Sequence, residues 1–161
     1  MRETKGKSVR ESSIFVAHLM EPQDANIAGN VHGGVIMKYI DTTAAMVAFR
    51  HARTNVVTAS IERLDFFNPV FIGNLVKFSS SINMVRRTSM EVGVRVESED
   101  LYTGEVRHTA SAYLTYVALD EHHKPTGVPP LILKTDEEKR RNREAQVRRR
   151  RCMEEDSLRK I

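Results

Sequence analysis

A carboxylate in an apolar segment, and the polar loop that precedes it, are the parts of this sequence best suited to catalysis. The loop contains Asn26 and His32, and it ends in Gly33 and Gly34. Asp41 follows in a stretch that is apolar on nearly every side, which is typical of a helix buried on most of its surface. A buried charge is costly unless it is paired or used, so the combination indicates a reaction site.

Each residue type in this stretch suits one chemical task. Backbone N–H groups at Gly33 and Gly34 lie where a helix is expected to begin, and the helix dipole there stabilises an oxyanion. Asp41 can act as a general base on water or as a nucleophile, and the neutral amide of Asn26 can orient that water. Taken alone, Asp41 also fits a solvated helix residue and Asn26 an ordinary turn residue. His32 is a weaker candidate for a base than for a loop residue.

The sequence around this site alternates between apolar and polar residues, as strands do. The pattern predicts a central helix and five strands: the helix over residues 33–50 and the strands over 12–20, 54–64, 75–84, 90–97 and 105–119. Several strands are long against the usual length of about 5–6 residues, and together they must cover one apolar helix. The predicted fold is α+β, a long curved antiparallel sheet wrapped around a central α-helix, the hotdog arrangement. One sheet leaves a flank of the helix open, so a second copy is expected to close it.

The basic character of the chain belongs to its C-terminal part. The net charge is +4; residues 1–133 carry 14 Lys/Arg and 14 Asp/Glu, whereas residues 134–161 carry 11 and 7. In that tail, Thr135 to Glu138 form a capping box, and arginines follow the acidic residues, which predicts a helix over about 136–151. The chain is therefore divided into a flexible N-terminus (1–10), a neutral hotdog domain (11–133) and a charged C-terminal helix and tail (134–161).

Composition argues against several classes of protein. The sequence contains no apolar run long enough to cross a membrane, and its N-terminal residues lack the apolar core of a signal peptide. The single cysteine, Cys152, excludes an internal disulfide framework, and no Cys/His cluster has the spacing of a zinc site. We therefore expect a cytoplasmic protein without a metal site.

Five stretches of the sequence resemble the acyl-CoA thioesterases of the hotdog superfamily, above all the cytosolic acyl-coenzyme A hydrolases and their bacterial single-domain relatives. They are residues 24–34, 40–45, 57–60, 87–92 and 111–117. The likeness extends over about residues 10–150, including the Pro-rich exit from the last strand and the acidic-then-basic tail helix. It implies hydrolysis of fatty acyl-CoA to free fatty acid and coenzyme A. It also implies no metal or organic cofactor, since coenzyme A is part of the substrate and the product.

The resemblance also assigns roles to particular residues. Asp41 corresponds to the catalytic carboxylate and Asn26 to its partner across the site. Because one domain keeps both groups, a homodimer with two equivalent sites is implied, assembled further as a trimer of dimers. The residues implied in coenzyme A binding lie on the second strand, after the following hairpin and on the tail helix: Ala59, Ser60, Ile61, Arg87, Thr88, Ser89, Met90, Arg148 and Arg150.

Other functions stay open at this point. A non-catalytic protein of the same fold that binds a CoA ligand is disfavoured by the presence of both Asn26 and Asp41. A nucleic-acid-binding protein that uses the arginines at 148–151 is disfavoured by the neutral body. A hotdog dehydratase would need His32 as its acid/base group. The sequence leaves undecided the acyl chain length, a tetramer against a hexamer, and a general base against an anhydride mechanism.

Overall fold

In the computed structural model, which describes residues 5–159, a five-stranded antiparallel sheet packs against one long helix. The elements are β1 (Lys7–Ser8), α1 (Val9–Ser12), β2 (Ile14–Leu19), a 3₁₀ turn (Pro22–Asp24), α2 (Gly33–Ala52), β3 (Asn55–Phe66), β4 (Leu75–Val85), β5 (Ser89–Glu99), β6 (Val106–Leu119), β7 (Leu131–Ile132) and α3 (Asp136–Arg159). The strand order in the sheet is β2-β4-β5-β6-β3, and β1 pairs with β7 separately. The predicted α+β hotdog architecture is confirmed.

The core lies between helix α2 and the inner face of the sheet. Along β4, the side chains of Val76, Phe78 and Ile82 are buried, and β6 buries Leu114 and Tyr116 in the same alternating way. Helix α2 contributes apolar residues at helical spacing, namely Ile36, Ile40, Ala44, Val47 and Ala48. The apolar periodicities of helix and strands therefore meet on one shared surface, and this packing fixes the face of α2 that carries Asp41.

Helix α2 begins at Gly33, as predicted, and continues beyond the predicted end to Ala52. Arg53 then adopts a left-handed conformation with φ 57°, which stops the helix. Near this end, Lys7 Nζ donates a hydrogen bond of 2.7 Å to the carbonyl oxygen of His51. The last carbonyl groups of a helix have no partner within the helix, so this lysine stabilises the C-terminus of α2.

The expectation of a flexible N-terminus is wrong for residues 7–10. Strand β1 pairs in parallel with β7, so the N-terminal segment is tied to the chain just before α3. In α1, Val9 is buried, and the Ser8 N–H donates to Glu11 Oε2 at 2.6 Å. Val9 is the one apolar residue that packs in this segment. Because its neighbours in the sequence are polar, no apolar pattern predicts that the segment is ordered. Residues 1–4, which belong to the same prediction, lie outside the described residues.

Helix α3 lies on the outer face of the sheet, against β4. Its predicted capping box is confirmed: the Glu138 N–H donates to Thr135 Oγ1 and the Thr135 N–H donates to Glu138 Oε2, both at 3.1 Å. Ala145 is fully buried, and Asn142 Nδ2 donates 2.9 Å to the carbonyl oxygen of Asn83. The helix has little apolar surface, and it docks mainly through polar contacts.

The two edges of the sheet are formed by β2 and β3. Strand β3 is 12 residues long, pairs with β6 on one side, and carries the exposed apolar residues Val57, Ile61 and Phe66. A long edge strand with apolar side chains is a surface on which another strand pairs readily. Over residues 5–159, none of the helices combines the length and the apolar composition needed to cross a bilayer.

Candidate active site

The carboxylate of Asp41 is held by hydroxyl groups from two strands. Thr58 Oγ1 on β3 donates to Asp41 Oδ1 at 2.9 Å, and the Tyr116 hydroxyl on β6 lies 2.7 Å from the same oxygen. The Tyr116 hydroxyl is also 2.9 Å from the carbonyl oxygen of Asp41. Among the hydrogen bonds of residues 5–159, none reaches Asp41 Oδ2 from a side chain, so this second oxygen is available to a ligand or to water.

The register of the sheet explains why both donors reach one oxygen. Thr58 and Tyr116 are directly paired between β3 and β6, so their side chains point to the same face, towards α2. The register shifts immediately afterwards: Ser60 pairs with Thr115, and Ala59 forms a β-bulge without a paired residue on β6. Bulges are frequent beside active sites, where they redirect a strand.

The Tyr116 hydroxyl is a permanent hydrogen-bond donor at neutral pH. The residue is 1% exposed, and this burial, together with the adjacent Asp41 carboxylate, raises the pKa of Tyr116 far above its ordinary value. Tyr116 and Thr58 were not among the predicted site residues. The signal in the sequence that could have identified them was a polar side chain at a strand position that faces the core.

The side chain of Asn26 shapes the loop before α2. Its Oδ1 accepts hydrogen bonds from the N–H groups of Ala28 at 2.9 Å and Asn30 at 3.2 Å. The main chain closes the same turn, because the Asn26 N–H donates to the carbonyl oxygen of Asn30 at 2.7 Å. With the oxygen engaged in this way, the Nδ2 amino group is the part of Asn26 that can donate to a ligand.

His32 is the N-cap of α2 and not a free base. Its Nδ1 accepts a 2.9 Å hydrogen bond from the Gly34 N–H. The N–H groups of Gly33 and Gly34 were both predicted to belong to an oxyanion hole. In the structure, the Gly34 N–H donates to His32 instead. The Gly33 N–H is thus the better candidate donor to an oxyanion at this helix start.

Asn26 and Asp41 lie in different parts of one subunit. Asn26 and Gly33 line a cavity of about 260 Å³ together with Phe66, at one end of β3. Asp41 is bonded to Thr58, near the other end of that strand. Along α2, the eight residues from Gly33 to Asp41 correspond to about 12 Å.

The residues predicted to bind coenzyme A fall into two groups. Arg87 and Arg150 line one groove of about 880 Å³ between the β4–β5 hairpin and α3, and Arg86 and Arg149 line it as well. Thr88 and Ser89 lie in and after that hairpin, while Ala59, Ser60 and Ile61 lie on the β3 edge. Met90 is only 1% exposed and belongs to the core, so its side chain is not placed to contact a ligand.

Arg148, which was predicted to bind coenzyme A, is engaged within the protein. Its Nη2 donates to Glu91 Oε1 at 2.6 Å and its Nε to Oε2 at 3.1 Å, and its guanidinium lies 3.6 Å from the ring centroid of Tyr113. The Arg148 side chain is 19% exposed and that of Glu91 is 1% exposed. A guanidinium engaged in a bidentate pair and stacked on a ring anchors α3, and the geometry does not support a contact with coenzyme A.

Comparison with known proteins identifies the family. Residues 28–105 match the family model of the thioesterase superfamily. A Bacillus subtilis protein named uncharacterized acyl-CoA thioester hydrolase YkhA is 38% identical over 138 residues, which cover 86% of this chain and 80% of that protein. The chain belongs to the thioesterase superfamily. Over 143 residues the chain is also 36% identical to the cytosolic acyl coenzyme A thioester hydrolase of Rattus norvegicus. These residues are 88% of this chain but only 38% of that longer protein.

Two solved structures share the fold of this protein over nearly the whole chain. A hexameric acyl-CoA thioesterase superposes with a TM-score of 0.92 at 38% identity, covering 96% of this chain and 99% of its own. An acyl-CoA hydrolase from Staphylococcus aureus, solved with butyryl coenzyme A, coenzyme A and coenzyme A disulfide, gives a TM-score of 0.87 at 34% identity, with 96% of each chain covered.

Variants of the Staphylococcus aureus thioesterase point to three polar residues. Structures exist in which one Asn, one Asp or one Thr of that enzyme is replaced by alanine. Along its chain the Asp lies 15 positions after the Asn, and the Thr lies 17 positions after the Asp. Asn26, Asp41 and Thr58 have the same spacing here. Within residues 5–159, no group of three or more His, Cys, Asp or Glu side chains is placed to hold a metal ion.

Proposed function

We propose that the protein hydrolyses fatty acyl-CoA thioesters to a free fatty acid and coenzyme A. The observation that carries this proposal is the Asp41 carboxylate, held through one oxygen by Thr58 and Tyr116 next to the edge strand β3. A Staphylococcus aureus acyl-CoA hydrolase with an Asn, an Asp and a Thr at the same spacing supports it.

The proposed reaction uses protein groups and water alone. Asp41 Oδ2 removes a proton from a water molecule as the water oxygen attacks the thioester carbonyl carbon. The carbonyl oxygen becomes an oxyanion and accepts hydrogen bonds from the Gly33 N–H and from Asn26 Nδ2. The C–S bond then breaks, and the departing sulfur takes the proton back from Asp41. Direct attack by Asp41 to form an anhydride is the alternative route, and it uses the same groups.

A dimer unites the two halves of this site. If two β3 edges pair antiparallel about a two-fold axis, the Phe66 end of one strand meets the Thr58 end of the other. Asn26 and Gly33 lie at the Phe66 end and Asp41 lies at the Thr58 end. Each active site therefore combines Asn26 and Gly33 of one subunit with Asp41 of the partner subunit. The apolar residues Val57 and Ile61, exposed on β3, support this pairing.

The proposed assembly of dimers into a larger oligomer is based on a related structure. The structure with a TM-score of 0.92 is a hexameric acyl-CoA thioesterase, and a trimer of dimers is therefore the proposed assembly of this chain. The rat relative is named a cytosolic enzyme, which agrees with the proposed cytoplasmic location.

The groove between the β4–β5 hairpin and α3 is the proposed site for the phosphates of coenzyme A. Four arginines line it, two from the hairpin and two from the helix: Arg86, Arg87, Arg149 and Arg150. Several other arginines of α3 are engaged within the protein, since Arg140 and Arg141 both pair with Glu137, and Arg148 pairs with Glu91. A docked helix with internally paired arginines fits a small phosphorylated ligand better than a nucleic-acid backbone.

The proposal is tested by Asp41→Asn in an assay of thiol release from acyl-CoAs of increasing chain length. Asparagine keeps an oxygen for the Thr58 and Tyr116 hydroxyls, so the fold is expected to persist while the basic group is lost. Turnover should fall by about 10²–10⁴-fold, the usual contribution of a positioned acid/base group. Asp136→Asn, which removes an exposed carboxylate from α3, is the control and should leave activity unchanged. Near-full activity of folded Asp41→Asn would rule out Asp41 as the reacting group.

A further inference from the structure

We propose that Tyr116 is a positioning residue for the reaction: its hydroxyl fixes the Asp41 carboxylate in the orientation that presents Oδ2 to the water molecule. The inference rests on the proposed thioesterase function. It adds a residue of β6 to a site otherwise built from α2, β3 and the loop before α2.

The first support is the double contact of a single hydroxyl group. The Tyr116 oxygen lies 2.7 Å from Asp41 Oδ1 and 2.9 Å from the carbonyl oxygen of Asp41. These two oxygens belong to the side chain and the main chain of the same residue. A group that touches both restricts the rotation of the carboxylate relative to the axis of α2, which a donor to the side chain alone would do less well.

The second support is the division of labour between the two carboxylate oxygens. Thr58 and Tyr116 both donate to Oδ1, from neighbouring strands in direct register. In the part of the chain that the structure describes, no side chain donates to Oδ2. With both donors on Oδ1, the other oxygen of the carboxylate is left to receive the proton.

The third support is burial. Tyr116 is 1% exposed and belongs to the apolar core, with its hydroxyl at the boundary between that core and Asp41. Water cannot readily replace a hydroxyl group at such a position. Burial and the neighbouring carboxylate also raise the pKa of Tyr116, so the phenol stays protonated and acts as a donor throughout the neutral range.

The test is Tyr116→Phe, which removes one oxygen atom and keeps the ring in the core. If Tyr116 positions Asp41, kcat falls by about 10- to 100-fold, the range expected for loss of a hydrogen bond to a charged group, while KM changes little. The acid limb of the kcat profile also moves to higher pH, because one donor that favours the anion is lost. Tyr113→Phe, the same change on the outward face of β6, should leave kcat and its pH profile unchanged.

A second variant distinguishes positioning from packing. Replacement of Tyr116 by 3-fluorotyrosine keeps the shape of the side chain and makes the hydroxyl a stronger donor. The acid limb should then move to lower pH, opposite to its movement in Tyr116→Phe. If both variants leave the acid limb where it lies in the unmodified protein, the positioning role is wrong, whatever their stability.

The last arm separates this inference from the proposed function. In the background of Asp41→Asn, Tyr116→Phe should produce no further loss of kcat, because the group on which Tyr116 acts is already neutral. An equal loss in both backgrounds would mean that Tyr116 acts independently of Asp41 and would overturn the inference. If Asp41→Asn is inactive and Tyr116→Phe is fully active with an unchanged pH profile, only the role of Tyr116 fails. If Asp41→Asn itself is fully active, the proposed catalytic role of Asp41 fails first.

Discussion

At the scale of single residues, the two oxygens of Asp41 have different surroundings, and this difference was not visible in the sequence. The sequence indicates a carboxylate in an apolar helix, but the donors come from strands whose register it does not specify. A partial signal existed for Tyr116, because the residues that alternate with it on β6 are apolar: Ala110, Ala112, Leu114 and Ala118.

His51 is a second residue whose environment sets a property of the protein. It is fully buried on α2, and its Nε2 lies 2.8 Å from the carbonyl oxygen of Pro129, which identifies Nε2 as the protonated nitrogen. Within residues 5–159, Nδ1 is buried without a hydrogen-bond partner. A second proton would place a charge there, close to Lys7, which donates to the carbonyl oxygen of the same residue. Burial therefore lowers the pKa of His51, and Lys7 adds to the effect.

The lowered pKa makes folding stability depend on pH. In the unfolded chain, His51 takes up a proton near its ordinary pKa of about 6.5, whereas in the folded protein it does so only at lower pH. The stabilisation is therefore complete above about pH 6.5 and is lost as the pH falls below it, by at most about 1.4 kcal/mol per pH unit. Denaturant titrations between pH 5.5 and 7.5 measure this loss.

The control for this prediction is His51→Gln, which keeps an N–H donor for Pro129 and cannot take up a proton. This variant should lose less stability than the unmodified protein on acidification. Parallel pH profiles for the two proteins would show that another group causes the effect.

At the scale of elements, the docking of α3 depends on one ion pair on the outer face of the sheet. Glu91 is buried and accepts hydrogen bonds from Arg148 and, at 3.0 Å, from Asn83 Nδ2. Two residues further along β5, a Cβ at Gly93 would lie 2.7 Å from Asn83 Nδ2 on β4, so a larger residue there would displace the amide. Glu91, Asn83 and Arg148 form one polar cluster between the sheet and the helix.

Arg148→Met should destabilise the protein, because it leaves a buried carboxylate without its counter-charge. Loss of one partner of such a pair costs about 3–5 kcal/mol, and the double variant Arg148→Met with Glu91→Gln should recover a large part of this loss. The control Arg151→Met, which changes an exposed arginine of the same helix, should alter stability by less than about 0.5 kcal/mol. Urea titrations at one fixed protein concentration measure all three; equal stability of the two single variants would contradict the anchoring role.

The elements with strong local patterns were predicted well, and those that depend on distant contacts were not. The start of α2 and the capping box of α3 follow from local residue types, and both are where the sequence predicts them. The pairing of β1 with β7 involves two residues on each side, far apart in the chain, and a segment that reads as polar. The anchoring of α3 by Arg148 was missed because a run of arginines does not show which member faces a buried glutamate.

At the scale of the whole molecule, the chain presents an incomplete surface. Apolar side chains are exposed on β3 and along α2, among them Ile61, Met37, Met46 and Phe49. Exposed apolar area of this kind marks an interface. The sequence predicts the need for a second copy from the apolar helix alone, but the direction in which the copies join follows from the position of β3 at the sheet edge.

The dimer model makes a counting prediction about mixed assemblies. Asn26→Asp keeps an oxygen for the loop N–H groups and removes the amino donor, and Asp41→Asn removes the base; each variant alone should be nearly inactive. When the two are co-expressed and dimers form at random, about half the dimers are mixed. In a mixed dimer, one site carries both changes and the other carries neither, so about a quarter of all sites should recover full activity.

The alternative geometry gives a different count. If Asn26 and Asp41 act together within one subunit, every site in the mixture carries one change, and activity stays at the level of the separate variants. The measurement is thiol release per subunit from the purified mixture, compared with the two variants mixed after purification without exchange. Native mass spectrometry confirms that mixed dimers are present. Mixed dimers that release no more thiol than the separate variants would exclude a site shared between subunits, while leaving the role of Asp41 as the base to its own test.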